Sequence, residues 1–437
     1  MRINFRSGKQ NSILNIIISG ILLFLYIYEF NFVYFGLPTF VTSRRLVVLI
    51  LAFIILTKYL VGQTKNLRIE SPPRESSRSI FRVSALQLFL LVYVLLIYLV
   101  IGKGTGEMVS NSILRLLLFG IVPIFLFYLY FDSLDGLMRA VLIATILQSL
   151  IIIACLASSA FQTRLDAIFA FESDYVAIHR SEYAGGLACI TAPGALKFCM
   201  GLVACAYFLL KKKSGWFMAL YLALSLMATM IARTGLFIAA AGMLVFLLYF
   251  AIEERNFRFF WVLLSIVLVI AVTIILFNYF DLWSFFAQRL TRFQKLSGGL
   301  YEGFFDAYFH ESGNYIPELS LETWFGTGIV SGAAGNGVFV NADGGFLRLY
   351  VAFGLPLCIV FYLHLAYHMV RQIRFTKEKF VFYSLIFFAI TMLMAEIKEY
   401  TLYNQYMICL FFAAAALSKK DVIQSNEFSQ EVPDEKL

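Results

Sequence analysis

The stretch WFMALYLALSLMATMIARTGLFIAAAGMLVFLLYF, residues 216–250, holds a single charged side chain, Arg233, near its midpoint. As one helix it would be about 52 Å long at about 1.5 Å per residue, well beyond a hydrocarbon slab of about 30 Å. It must therefore fold back. A break at Ala232-Arg233-Thr234-Gly235 gives two spans of about 25 Å each and carries the arginine to one membrane face. Lys211-Lys212-Lys213 precedes the run and Glu253-Glu254-Arg255 follows it. The lysines mark their side as cytoplasmic, which puts Arg233 on the external face. A cation in so tight an interfacial turn either binds something or snorkels toward lipid headgroups.

The rest of the chain has the same character. With 61% hydrophobic residues, 14% charged residues and 46 Phe among 437 positions, its solvent is lipid. The composition predicts an all-α, polytopic membrane protein. The net charge of +8 is dispersed in short loop clusters beside apolar spans, as membrane anchors are, so nucleic acid is excluded as a partner. Arg2, Arg6 and Lys9 precede an apolar stretch from Ile13, and residues 26–35 offer no small-residue cleavage site, which reads as an uncleaved first span. Six cysteines, at 155, 189, 199, 205, 358 and 409, fall in apolar segments without metal-ligand spacing and read as buried thiols. His364 and His368 share a helix face at i, i+4 but lack a third ligand, so no metal is expected.

Hydropathy places spans near 13–31, 44–62, 83–101, 112–131, 136–157, 187–210, 216–232, 234–252, 259–279, 346–370, 380–396 and 400–418. That makes about twelve transmembrane helices with both termini inside. The transmembrane domain is residues 1–418, with two long external loops at about 158–186 and about 280–345, the second lying just before span ten. Residues 419–437, charged and Ser/Gln-rich, read as a disordered cytoplasmic tail. Of the 35 Lys and Arg residues, 22 fall on the cytoplasmic side of this topology. The other 13 comprise nine arginines, at 44, 45, 115, 164, 180, 233, 289, 292 and 348, and four lysines, at 103, 197, 295 and 398. The cytoplasmic set divides evenly. Guanidinium is a planar, permanent cation that pairs bidentately with phosphate oxygens, so an external face rich in arginine points to an anionic, phosphorylated substrate.

Three external clusters carry the candidate chemistry. His179-Arg180-Ser181-Glu182 is followed by Gly185-Gly186 and Pro193-Gly194. Arg180 can reach a headgroup phosphate, or pair with Glu182 or Glu172. In the long loop, Leu282, Phe286, Leu290, Phe293, Leu296 and Leu300 recur at helical spacing with Arg289, Arg292 and Lys295 between them. That pattern predicts an amphipathic helix on the membrane whose cations bind a diphosphate or touch headgroups. Farther on, Gly326-Thr-Gly328, Gly332, Gly335 and Gly337 supply flexible backbone, and Asn341-Ala-Asp343-Gly-Gly345 opens span ten. No nucleotide-binding unit surrounds these glycines. Asp343, a carboxylate at a helix mouth and close in sequence to Arg348, is either a general base for a sugar hydroxyl or a helix cap. Arg44 and Arg45 open an external span and form a second tier, and Arg115 and Arg348 lie within apolar spans, where a partner is expected.

Taken in order, Arg180 with Gly185 and Pro193-Gly194, Ala-Arg233-Thr-Gly-Leu-Phe, Phe325-Gly-Thr-Gly, and Asn341-Ala-Asp343-Gly-Gly-Phe-Leu-Arg-Leu-Tyr-Val-Ala-Phe-Gly354-Leu-Pro resemble the O-antigen polymerase and O-antigen ligase superfamily. The resemblance covers about residues 180–356; before that only the span pattern is shared. It implies a metal-independent, integral-membrane glycosyltransferase, without cofactor, in a bacterial inner membrane with its active site facing the periplasm. Its substrate would be an undecaprenyl-diphosphate-linked oligosaccharide, and a chain-length regulator protein would be a partner. Arg180 and Arg233 then match the family's diphosphate-holding arginines, Arg348 of the last motif is a further candidate for the diphosphate, and Arg289 or Arg292 joins from the long loop. The ligase pattern usually has a histidine where this chain has Asn341-Ala342-Asp343, which favours polymerase over ligase. The family often follows its proline with asparagine before span six, and this chain has Gly194 there. In the polymerase reaction the arginines stabilise charge growing on the leaving diphosphate, and Asp343 takes the proton of the attacking hydroxyl. A flippase or transporter of lipid-linked sugars is the remaining alternative. Paired repeats and central intramembrane charges would mark it, and this chain shows neither clearly.

Overall fold

A computed structural model of the chain describes residues 13–30, 32, 41–64, 74–101, 116–117, 120–168, 191–255, 320–327, 332–334, 338–340, 344–398 and 406–430. The helices are α1 (Ile13–Ile27), α2 (Ser43–Thr64), α3 (Arg74–Leu96, continued by a π turn Ile97–Ile101), α4 (Val122–Tyr130), α5 (Leu134–Ala157), α6 (Ser159–Ile168) and α7 (Thr191–Lys212). They continue with α8 (Gly215–Ile231), α9 (Arg233–Ile252), α10 (Leu321–Phe325), α11 (Gly345–Phe353), α12 (Leu355–Arg374), α13 (Lys379–Lys398) and α14 (Tyr406–Gln430). Among the described residues, five helical segments are long and apolar enough to cross a membrane: Ile80–Leu99, Leu134–Cys155, Gly194–Lys212, Thr234–Ile252 and Lys379–Ile397. The chain is a polytopic helical membrane protein. The span expected at 259–279 lies outside the described residues.

α7 is the central helix: 89% of its apolar window is buried, against 44% for α9 and 56% for α5 and α13. Small residues let the helices close on one another. A Cβ added at Gly201 would lie 2.3 Å from Thr145 of α5, and one at Gly20 of α1 would lie 2.4 Å from Ile143. Such close approach is how helices associate where lipid provides no hydrophobic drive. Hydroxyls inside the spans return their protons to the preceding turn, as Thr145 does to Val141 O, Ser225 to Tyr221 O and Thr391 to Phe387 O. No polar hydrogen of these side chains is left facing lipid.

Ion pairs tie together one end of the bundle. Lys211 Nζ lies 2.6 Å from Asp135 Oδ1, Lys213 Nζ 2.6 Å from Glu254 Oε2, and Lys379 Nζ 3.1 Å from Glu253 Oε1. Lys213 and Arg255 both adopt positive φ (51° and 48°) there, turning the chain out of α7 and away from α9. α7 ends and α8 begins at this lysine-rich end, so Lys197 of α7, the α8–α9 turn and the α11–α12 junction all sit at the other one. That second end, marked by Arg233, is where the sequence gathers its candidate residues.

Three features differ from the sequence expectation. Span ten is broken into α11 and α12 at Gly354 (φ 83°), because Pro356 has no N–H to continue the ladder and its ring clashes with the preceding turn. The glycine-rich part of the long loop, expected as flexible backbone in an all-α chain, contains a small antiparallel hairpin, Gly332–Ala334 with Val338–Val340, in register Gly332 to Val340. The last span continues as α14 to Gln430 where a disordered tail was expected from Lys419, since no Gly or Pro interrupts residues 418–430.

Candidate functional site

The α8–α9 turn falls where the sequence requires it. α8 ends at Ile231, Ala232 is extended (φ −159°, ψ 153°), and Arg233 is the first residue of α9. Tyr221 Oη donates to Ala239 O at 2.9 Å, and a Cβ at Gly235 would lie 2.3 Å from Ala228 O. Pairing of 228 with 235 and 221 with 239 defines an antiparallel hairpin, so Gly235 is what lets the two spans meet one turn from the bend. The N-terminus of α9 adds a partial positive charge of about half a unit to the position of Arg233.

Arg44 is a structural cation. Its side chain is 6% exposed, Nη1 lies 2.9 Å from Glu29 Oε2, and Nε donates to Tyr26 O at 2.9 Å. Its guanidinium lies over the rings of Tyr26 and Tyr406, 5.4 and 5.7 Å from their centroids. Thr42 Oγ1 donates to the other Glu29 oxygen at 2.7 Å, while Ser43 Oγ donates to Leu25 O and accepts from Phe30 N–H. The α1–α2 connection is thus clamped by Thr42-Ser43-Arg44, which withdraws Arg44 from the role of substrate clamp. Its neighbour Arg45, on α2, and Lys197, on α7, are half-buried, and both also act electrostatically on Glu29. Three cations thus act on this one carboxylate.

At the same end, two motif fragments that are distant in sequence form one backbone junction. Gly326 (φ 89°) and Gly354 (φ 83°) pack directly: a Cβ on Gly326 would lie 2.5 Å from Ala352 O, and one on Gly354 would lie 2.2 Å from Trp324 O. Thr327 N–H donates to Val351 O at 2.8 Å, and Tyr93 Oη of α3 donates to Phe325 O. The Phe325-Gly-Thr fragment of the long loop is therefore docked on the break between α11 and α12. Arg348, half-buried, stands in the first turn of α11, with its N–H bonded to Gly344 O. Gly344 holds the N-cap position of that helix without a side-chain bond, so the cap expected of Asp343 falls one residue later.

Arg115, Arg180, Arg289, Arg292 and Asp343 lie outside the described residues, as does the amphipathic stretch 282–300. Arg164 is exposed on α6. The rings of His364 and His368 are 4.4 Å apart, and among the described residues no group of three His, Cys, Asp or Glu could hold a metal ion. The five described cysteines are buried free thiols. Glu29 and Glu396 escaped the sequence reading, although a carboxylate within or beside an apolar run is its own signal. Tyr362 Oη donates to Glu396 Oε1 at 2.6 Å. No family model, no curated protein and no solved structure matches this chain.

Proposed function

We propose that the chain is a surface-polysaccharide polymerase of the O-antigen type. It transfers a growing glycan from undecaprenyl diphosphate to an incoming lipid-linked repeat unit at the external face of a bacterial inner membrane. The observation that carries this reading is the gathering of cations at one end of the bundle. Arg45 and Lys197 act electrostatically on Glu29 there, and Arg233 opens α9 at the same end. The glycine junction docks the long loop at that end too.

A diphosphate leaving group develops negative charge as the anomeric bond breaks, and fixed cations stabilise that charge more than they stabilise the ground state. In this reading Arg233 and Arg348 hold the diphosphate with Arg180. Arg289 and Arg292 close from the loop, and a carboxylate takes the acceptor proton, Asp343 being the one the sequence motif offers. Twelve spans with the lysine-rich end in the cytoplasm complete the topology, and a chain-length regulator is the expected partner. Deleting the gene and resolving the surface polysaccharide on a gel tests the reading. A single repeat unit left on the lipid core supports it. Bare core, the signature of a lost ligase or flippase, refutes it.

A further inference from the structure

Glu396 stands two residues before the end of α13, inside the apolar span Lys379–Ile397, and is 4% exposed. Removing a carboxylate from water costs several kcal/mol, so an intramembrane one is a functional group by default. Its place in the fold sharpens that default. Tyr362, which donates to it at 2.6 Å, is about 12 Å along α12 from the Gly354 break. One turn nearer the break, Cys358 feels the Glu396 charge and directs its Sγ–H at Phe346 O, 3.7 Å away. Phe346 is the second residue of α11, so a continuous set of contacts leads from Glu396 to the helix mouth that Asn341-Ala-Asp343 precedes.

We propose that Glu396, acting through Tyr362, is the proton acceptor for the attacking hydroxyl, an assignment that rests on the transferase reading above. The hydroxyl oxygen bonds to the anomeric carbon while the bond from that carbon to the diphosphate oxygen breaks, and its electron pair leaves with the lipid diphosphate. The hydroxyl proton passes to Tyr362 Oη as the phenolic proton passes to Glu396 Oε1. Water takes the proton from Glu396 after the product departs. Asp343 is less suited to the task because Arg348 is close to it in sequence, and a carboxylate beside a guanidinium is a weaker base.

The test uses the full chain in nanodiscs with an undecaprenyl-diphosphate-linked repeat unit as the probe, comparing kcat and KM. Glu396→Gln lowers kcat by about 100-fold or more, the scale of general-base catalysis, with KM changed by less than about threefold. Tyr362→Phe gives an intermediate loss, and Glu396→Asp restores part of the rate. Melting curves and size exclusion confirm that each variant is folded. Glu396→Gln with near wild-type kcat overturns the proposal. So does a loss confined to KM, or one that follows lost stability without rescue by aspartate. A wild-type chain that lengthens no lipid-linked glycan instead refutes the transferase reading itself, and this assignment with it.

Discussion

Replacing Gly354 with alanine tests whether the glycine junction holds the long loop on the bundle. At φ 83° and ψ 158° the backbone is in a region open essentially to glycine alone, which costs another residue about 1–3 kcal/mol. The new methyl would also lie 2.2 Å from Trp324 O and 2.8 Å from Phe325 C, both backbone atoms that cannot rotate aside. Forcing such a shift costs about 1–3 kcal/mol more. Together these come to about 4 kcal/mol, or roughly a thousandfold in the folded-to-unfolded ratio. Equilibrium unfolding in mixed detergent measures it. Gly215→Ala is the control, since a Cβ there meets nothing within 4 Å, and it should stay within about 0.5 kcal/mol of wild type. Gly326→Ala should cost as much as Gly354→Ala, and the double variant less than their sum, because each methyl displaces the backbone the other needs moved. A Gly354→Ala chain as stable as the Gly215→Ala control would refute the reasoning.

Two further perturbations follow from the ion pairs. Arg44→Ala should destabilise the chain by about 3 kcal/mol, because it leaves a largely buried Glu29 without its closest cation, and Glu29→Gln in the same background should recover part of that loss in the same unfolding assay. The Lys213 ammonium and then the Tyr249 hydroxyl, both bonded to Glu254, hold its carboxyl below the usual range. The unfolded chain therefore takes up this proton first as pH falls, and the stability Glu254 contributes is full at neutral pH and lost as pH drops through its lowered value. Melting temperatures of wild type and Glu254→Gln should differ by a constant amount near neutrality and converge in acid; a gap that widens in acid would contradict the sign.

How much could be read in advance differed between elements for physical reasons. The α8–α9 bend was legible because a 35-residue apolar run has one way to fit a bilayer, and Arg233 and Gly235 marked the place. The break inside span ten was not, because hydropathy averages over Gly354-Leu-Pro356 and sees an unbroken apolar window. Arg44 looked like its neighbour Arg45 because both open the same span. Only the fold shows that Glu29, fifteen residues earlier in the chain, turns back to meet one of them. Glu396 was hidden by its surroundings, since one carboxylate among apolar residues barely lowers the mean hydropathy of its span. The Gly326–Gly354 contact is a property of tertiary structure, and the sequence showed only two isolated glycines.

The most direct measurement is the affinity of the full chain in nanodiscs for undecaprenyl diphosphate, compared between wild type, Arg233→Lys and Arg233→Ala. A guanidinium grip on the diphosphate predicts weakening by about tenfold or more in the alanine variant, at least about 1.4 kcal/mol, with lysine restoring it only in part. Equal affinity in all three proteins would contradict the account.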